Sequence, residues 1–269
     1  MAGNMTTRPL AELTTVVTCF AFREEYFPEL SGMIATIEEW HPEWPMVIGR
    51  GTPRDDGVVT FAVETPDGPE EWTLPVPFHS CGGEDDWRRI TRMKAWWLHE
   101  VWRRSGGPTG PARHRIVWID ADARCKAPLA FEVDPESEII AGPWWWHPTD
   151  SAFDGITTGL LLLQGSEHGP VAGVLERWSQ TCLKQIQDLG PPTVPWPEGD
   201  QEVLTKVLAN GPEMDGTLQL LKLDHDTYCG VGKASPEAVI DHWMMSGKMA
   251  RRGRRDWPPP EHLRRGPRN

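Results

Sequence analysis

Apolar residues along this chain follow two alternating patterns, one typical of buried strands and one typical of amphipathic helices. Continuous runs of apolar and β-branched residues predict strands that are buried on both faces. The predicted strands cover residues 14–20, 45–48, 58–63, 71–74, 114–119, 138–141 and 159–164. Apolar residues spaced three and four positions apart predict helices. The predicted helices cover residues 27–40, 86–104, 170–189 and 200–209, and Asp86 is the expected N-cap of the second helix.

Strands that alternate with helices, beginning with a strand, predict an α/β fold. We expect a single domain over residues 1–250, with a mostly parallel sheet and helices on both faces. In such sheets ligands bind beyond the carboxyl ends of the strands. Residues 251–269 are dominated by Arg, Gly and Pro, so we expect a basic, loosely ordered C-terminal tail.

Tryptophan content and charge distribution are the two unusual features of the composition. The chain has 15 Trp but only 2 Tyr, and the flat indole serves either to fill a core or to stack on sugars and bases. The formal net charge of -12 disfavours a protein that coats nucleic acid non-specifically. Residues 248–269 nevertheless carry eight Lys or Arg against two acidic residues, which leaves about -18 on the rest of the chain.

The cysteines and the apolar runs bear on the compartment in which the chain works. The five cysteines are scattered and include no CxxC pair, which disfavours a zinc site or a disulfide framework and favours a reducing cytosol. The first residues contain no apolar stretch of signal-peptide length. The longest strongly apolar run, residues 159–163, is far too short to span a bilayer. We therefore expect a cytoplasmic protein without a membrane partner.

Two carboxylates directly follow the predicted strand at 114–119, within the sequence VWIDADA at 117–123. In a regular strand, side chains two positions apart lie on one face, so Asp120 and Asp122 can approach the same cation. A hard divalent ion held by one or two carboxylates and by phosphate oxygens is a common arrangement for binding a diphosphate. Asp also favours turns after strands, so a purely structural role for the pair stays open.

This segment resembles the Asp-x-Asp motif of GT-A nucleotide-sugar glycosyltransferases, and four further segments agree with that family in their order between residues 14 and 250. Where the family has a basic residue on the preceding helix, this chain has Arg92 and Lys94. The family's Asn-x-Gly-like turn into an apolar strand is similar to residues 157–163, with Thr158 in place of the usual Asn.

The last two segments of the resemblance lie further along the chain. The family's Asp-Gln pair at the start of a helix is similar to Asp200 and Gln201. The His-Gly-Lys pattern of glycogenin-like members is similar to residues 242–248, although the Gly-to-Lys interval is shorter and the usual Pro-Trp does not follow Lys248.

The resemblance implies a GT-A fold, Mn²⁺ or Mg²⁺, and a nucleoside diphosphate sugar as donor, with UDP as the expected carrier. It implies that the metal ligands are Asp120, Asp122 and His242. It implies that the nucleotide sugar contacts Thr18, Phe20, Lys94, Asp120, Ala121 and Lys248. We expect Asp200 and Asp154 to be catalytic, with Asp154 as a candidate base for the acceptor hydroxyl.

We expect the acceptor to contact the tryptophans at 144–146, since three consecutive rings cannot all be buried on one side of a strand. The full set of predicted acceptor residues is Trp144, Trp145, Trp146, Gly159 and Gln201.

Several of these residues have a structural alternative. Asp200 is alternatively only the N-cap of its helix. His242 is alternatively a buried, hydrogen-bonded histidine. Asp154 alternatively lies in a solvated turn. Arg92 and Lys94 alternatively form the solvent-facing side of their helix instead of contacting phosphate.

The activity that follows is metal-dependent transfer of a sugar from a nucleoside diphosphate to an acceptor hydroxyl. The acceptor is a saccharide, a hydroxymethylated pyrimidine in DNA or a small natural product; the basic tail and the Trp run favour DNA, and the total charge counts against it. A nucleotidyltransferase stays open as an alternative, although residues 18–25 contain no Gly for its usual Gly-rich basic loop. A non-catalytic sugar- or DNA-binding module is the other alternative, and it would not need the two Asp residues.

Overall fold

The computed structural model describes residues 15–79, 83–105, 113–146, 154–187, 199–211, 216–228, 230–231 and 238–242. The strands are β1 (Thr15–Phe22), β2 (Met46–Pro53), β3 (Val59–Thr65), β4 (Gly68–Thr73), β5 (Arg113–Ile119), β6 (Ala123–Cys125), β7 (Glu138–Trp146), β8 (Asp154–Ile156), β9 (Leu160–Ser166), β10 (Leu218–Leu223), β11 (Gly230–Val231) and β12 (Ile240–His242). The helices are α1 (Phe27–Trp40), α2 (Gly83–Ser105), α3 (Pro170–Gln187), α4 (Asp200–Asn210) and the single turn α5 (His225–Tyr228).

Nine of the strands form one mixed sheet, in the order β10-β7-β9-β5-β1-β2-β3-β4, with β8 paired to β7. The pairs β1–β2, β1–β5 and β7–β10 are parallel, and the other pairs are antiparallel. Consequently β1, β2, β4, β5, β7 and β10 run in one direction, against β3, β8 and β9. The predicted α/β class with a mostly parallel sheet is confirmed. The strand predicted at 159–164 corresponds to β9, which runs antiparallel between β5 and β7.

A second, three-stranded sheet has the order β11-β12-β6. Strand β6 begins three residues after Asp120, and β12 pairs with it antiparallel, so that His242 lies opposite Ala123. This small sheet therefore brings His242, which is distant in sequence, next to the turn that carries Asp120 and Asp122.

The core lies on both faces of the central strands. All but one residue of β1 are buried, and β5 ends in four consecutive buried residues. Four tryptophans on α2, β5 and α3 are almost completely inaccessible: Trp97, Trp102, Trp118 and Trp178. Among the described large apolar side chains only Trp87 is exposed, at 43%. In the described part of the chain, the tryptophan excess thus serves mainly to fill the core.

Helix α1 matches its predicted bounds, whereas α2 begins three residues before the predicted N-cap. Asp86 therefore lies within the helix, is 3% exposed, and accepts a hydrogen bond at 2.8 Å from Arg23. The expectation that Asp86 caps the helix is wrong, because its carboxylate is paired with a guanidinium. None of the described helices is long and apolar enough to cross a membrane. The predicted domain limit at 250 and the tail at 251–269 lie outside the described residues.

Candidate metal centre and active site

Strand β5 delivers Asp120 to the carboxyl end of the sheet, where a turn follows at once. The Asp120 amide donates to the Gly159 carbonyl at 2.9 Å, which continues the β5–β9 ladder by one residue. The Ala123 amide then donates to the Asp120 carbonyl at 2.9 Å and closes the turn. Asp122 therefore reaches the same side as Asp120 through a turn, and not through the regular strand that the sequence suggested.

Three candidate metal ligands converge at this turn. Asp120, Asp122 and His242 each offer one ligand atom, and these atoms all lie within 4.8 Å of one another. His242 Nε2 is 3.1 Å from Asp120 Oδ2 and 3.1 Å from Asp122 Oδ1. Two carboxylate oxygens and one imidazole nitrogen are a donor set that divalent cations such as Mn²⁺ accept. The residues present thus fit the metal that the motif implies.

Gly159 makes room for the imidazole at this site. A Cβ placed on Gly159 would overlap the Cε1 and Nδ1 atoms of His242. The absence of a side chain at 159 is therefore a steric condition for the position of His242. Gly159 was predicted to contact the acceptor; the structure gives it a packing relationship with a candidate metal ligand.

Lys94 is the central cation of the buried network beside the turn, and it is 5% exposed. Its Nζ lies 2.8 Å from Asp120 Oδ1 and 3.1 Å from Asp200 Oδ2. It also donates to the carbonyl and hydroxyl oxygens of Thr158, at 2.9 and 3.1 Å. An ammonium has three protons, and four acceptors surround this one. The solvent-facing alternative for Lys94 is therefore wrong, whereas its contact with the nucleotide sugar stays a prediction.

Asp200 is buried and is the first residue of α4, whose N-cap is Gly199. Its Oδ2 accepts from Lys94 and from the Thr158 hydroxyl, and its backbone carbonyl accepts from Trp178 Nε1 at 2.9 Å. The interpretation of Asp200 as only a helix cap is therefore wrong. Through Lys94, Asp200 is joined to Asp120 of the candidate metal centre.

Thr18 and Phe20, the two predicted nucleotide contacts on β1, have buried side chains. The Thr18 hydroxyl is inaccessible, donates to the Val47 carbonyl at 2.7 Å, and accepts from Trp97 Nε1 at 2.7 Å. Phe20 is 7% exposed and packs against Trp97 and Trp118, each with a ring-centroid distance of 5.5 Å. Both side chains belong to the core around a central strand, and the contact of these two residues with the nucleotide stays a prediction.

The remaining predicted residues are only partly described. Ala121 lies in the turn, and its carbonyl accepts from Arg124 at 3.2 Å. Trp144 is half-buried, and Lys222 Nζ lies 3.7 Å from its ring centroid, so a cation already covers one face of that indole. Gln201 is half-buried on α4. The side chains of Trp145, Trp146 and Asp154, and the whole of Lys248, lie outside the description.

The charges of this region shift the pKa values of its acids. Burial alone would raise the pKa of Asp120, but the Lys94 ammonium and His242 outweigh burial and hold it well below its usual range. Glu29, on α1, is 6% exposed, and burial together with the Asp122 charge raises its pKa to about 8 against the opposing effect of Arg124. Sequence analysis missed Glu29, Arg124 and Trp118, because no motif marks them and only the packing of α1, β5 and β6 brings them to the site.

Comparisons with known proteins give similarity at the level of structure only. No family model matches the chain, and no curated protein matches its sequence. A galactosyltransferase LgtC, solved with donor and acceptor sugar analogs, is 8% identical, with a TM-score of 0.43 over 93% of this chain and 99% of that one. An active-site mutant of LgtC is 8% identical, with a TM-score of 0.40 over 85% of this chain and 87% of that one.

A third similar structure is the apo-form glycosyltransferase GlyE of Streptococcus pneumoniae TIGR4. It is 12% identical, with a TM-score of 0.43 over 87% of this chain and 55% of that one. Because all three TM-scores lie below 0.5, these likenesses do not decide the chemistry of this chain. That chemistry has to be argued from its own side chains.

Proposed function

We propose that this protein is a metal-dependent glycosyltransferase of the GT-A type, which moves a sugar from a nucleoside diphosphate sugar to an acceptor hydroxyl. The single observation that carries the proposal is the convergence of Asp120, Asp122 and His242 within 4.8 Å at the carboxyl end of β5. That edge is where α/β sheets bind their ligands. The order of the sequence motifs supports the same proposal, and UDP is the carrier that the resemblance implies.

The cation at this centre, Mn²⁺ or Mg²⁺, would neutralise charge that develops on the departing diphosphate. The protein's part is to hold the ligands in place before the donor arrives. Lys94 pairs with the half-buried Asp120 and the buried Asp200 and so compensates two carboxylates at once. Lys94 and Lys248 are the predicted cations that would add positive charge around the diphosphate.

Asp200 and Asp154 are the proposed catalytic residues. For Asp200 the support is its position: the carboxylate is buried next to the candidate metal centre, and Lys94 and Thr158 fix Oδ2. A carboxylate held in this way can orient the sugar or an acceptor hydroxyl. Asp154 begins β8, which pairs with the tryptophan strand β7, and it is proposed as the base that accepts the hydroxyl proton.

The proposed acceptor is a saccharide, contacted by Gln201 and by the tryptophans at the end of β7. A hydroxymethylated pyrimidine in DNA is the second candidate, because residues 248–269, with a net charge of about +6, would supply phosphate contacts that the acidic body cannot. The two acceptors differ in their salt dependence. Transfer to DNA should weaken as salt rises and after truncation behind Gly247, whereas transfer to a saccharide should respond to neither.

The test of the proposed function is a panel of nucleotide sugars incubated with the full chain and Mn²⁺. We expect that one donor releases a nucleoside diphosphate and that this release depends on the metal. The Asp122→Ala variant should not release it. In a parallel incubation with a sugar phosphate and a nucleoside triphosphate, release of pyrophosphate would instead indicate a nucleotidyltransferase. Binding of a sugar or of DNA without any turnover of donors would indicate a binding module.

A further inference from the structure

We propose that Trp118 is a positioning residue of the candidate metal centre: its indole N–H holds one oxygen of Asp120, so that only the other oxygen faces the cation. This inference rests on the proposed metal-dependent function. It assigns a role to a residue that belongs to no motif and that, from its place in an apolar strand, would be counted as core.

The two oxygens of Asp120 have different partners. Trp118 Nε1 donates to Oδ1 at 2.7 Å, and Lys94 Nζ lies 2.8 Å from the same oxygen. Oδ2 faces His242 Nε2 at 3.1 Å. Oδ1 is thus occupied by two protein donors, while Oδ2 points to the residues that share the candidate centre.

The indole is rigidly held, so its hydrogen bond restricts rotation of the carboxylate. Trp118 is 2% exposed, and Phe20 packs against its ring at a centroid distance of 5.5 Å. Lys94 Nζ lies 5.3 Å from the centroid of the same ring. Residues two apart along a strand lie on one face, and this is why the side chain of residue 118 reaches that of residue 120.

A carboxylate restricted to one oxygen affects which cation the centre prefers. Ca²⁺ takes six to eight oxygen ligands and often uses both oxygens of a carboxylate, whereas smaller cations need fewer ligands and tighter geometry. Fixing Oδ1 removes one ligand that Ca²⁺ would use. The Trp118 hydrogen bond therefore favours Mn²⁺ over Ca²⁺.

The experiment measures the affinity of the full chain for Mn²⁺ without any donor, from the electron paramagnetic resonance signal of the unbound Mn²⁺. The affinity for Ca²⁺ is then measured by the ability of Ca²⁺ to displace Mn²⁺ from the protein. Trp118→Phe removes the donor and keeps a ring. The matched control is Trp97→Phe, because Trp97 is also buried, contacts Phe20 at the same 5.5 Å, and donates at 2.7 Å to Thr18, which is not a candidate metal ligand. We expect Trp118→Phe to lose about tenfold in Mn²⁺ affinity, as outer-shell partners typically do, and less in Ca²⁺ affinity. Trp97→Phe should keep both affinities.

Unchanged Mn²⁺ affinity in Trp118→Phe, or an equal loss in both variants, would overturn the inference. Failure of the wild-type chain to bind Mn²⁺ would instead count against the metal centre itself. If Trp118→Phe does not fold, the test uses nuclear magnetic resonance of wild-type protein with ¹⁵N-labelled indoles, whose N–H resonances are assigned by through-bond experiments. Mg²⁺ is then titrated into this protein. The Trp118 N–H resonance should shift while that of Trp97 does not, and an unmoved Trp118 resonance in protein that binds Mg²⁺ would also overturn the inference.

Discussion

Gly159 and His242 are in direct contact, and a methyl group at residue 159 would occupy the place of the His242 imidazole. The backbone of Gly159 is also fixed, since its carbonyl accepts the Asp120 amide at 2.9 Å. Because the glycine backbone is held in this way, the histidine side chain would have to give way to any added side chain.

Gly159→Ala should therefore weaken Mn²⁺ binding by displacing His242. The expected loss is about tenfold or more, comparable with the loss of a well-placed outer-shell partner. A double-mutant cycle with His242→Ala supplies the control. If displacement of the imidazole is the cause, Gly159→Ala should cause no further loss of Mn²⁺ affinity in the His242→Ala background. A loss of the same size in both backgrounds would show that Gly159 acts in some other way.

Asp200→Asn should lower turnover by about a hundredfold or more, the range typical of a residue that acts directly on a reacting group. It should also lower stability by about 1–3 kcal/mol, because Lys94 loses one buried charged partner. The control is Asp224→Asn, since Asp224 accepts from the Thr227 amide at the start of α5, a capping role that Asn can fill. Wild-type turnover in Asp200→Asn would reduce Asp200 to a structural residue.

Glu29 should make the stability of the metal-free protein depend on pH. Its folded-state pKa is raised to about 8 from 4.5, so between these values the native state holds a proton that the unfolded state has lost. The stabilising effect of this proton is fully present below about pH 4.5 and is lost as the pH rises towards 8. Over this range the free energy of unfolding falls by at most about 1.4 kcal/mol per pH unit.

Glu29→Gln keeps the shape of the side chain and removes this titration. Thermal unfolding is measured for both proteins in chelator between pH 5 and 8, a range chosen to lie within the window of the two pKa values. The melting temperature of the variant, relative to wild type, should rise with pH across this range. A difference that is constant across the range would mean that Glu29 is ionised in the native protein.

The sequence predicted those parts of the site that follow from strand ends and local motifs. The apolar sequence of β5 predicts a strand that ends directly before Asp120, so the position of Asp120 at the edge of the sheet follows from local sequence alone. The spacing of apolar residues in α1 likewise predicts the bounds of that helix. Helical periodicity left a solvent-facing position open for Lys94, whereas ion pairs with Asp120 and Asp200 compensate its burial here. Asp86 was misjudged as the N-cap because α2 begins at Gly83, and its partner Arg23 lies far from it in sequence.

The features that the sequence did not predict arise from pairings between distant segments. Thr18 and Phe20 were expected at the nucleotide because β1 appeared to end near residue 20, but the strand continues to Phe22 and keeps both side chains in the core. His242 was named as a metal ligand by the resemblance, but the short pairing of β12 with β6 that places it was not predicted. The role of Trp118 depends on the orientation of one indole, which no composition or spacing encodes.

The central claim is tested most directly by the affinity of the protein for UDP, measured calorimetrically with and without Mn²⁺. Asp122→Ala is compared with wild type and with Asp67→Ala, which removes an exposed carboxylate from the β3–β4 turn. We predict that Mn²⁺ strengthens UDP binding in wild type and in Asp67→Ala, and that Asp122→Ala loses this dependence while it melts near the wild-type temperature. Undiminished Mn²⁺-dependent UDP binding in Asp122→Ala would contradict the metal centre on which the account rests.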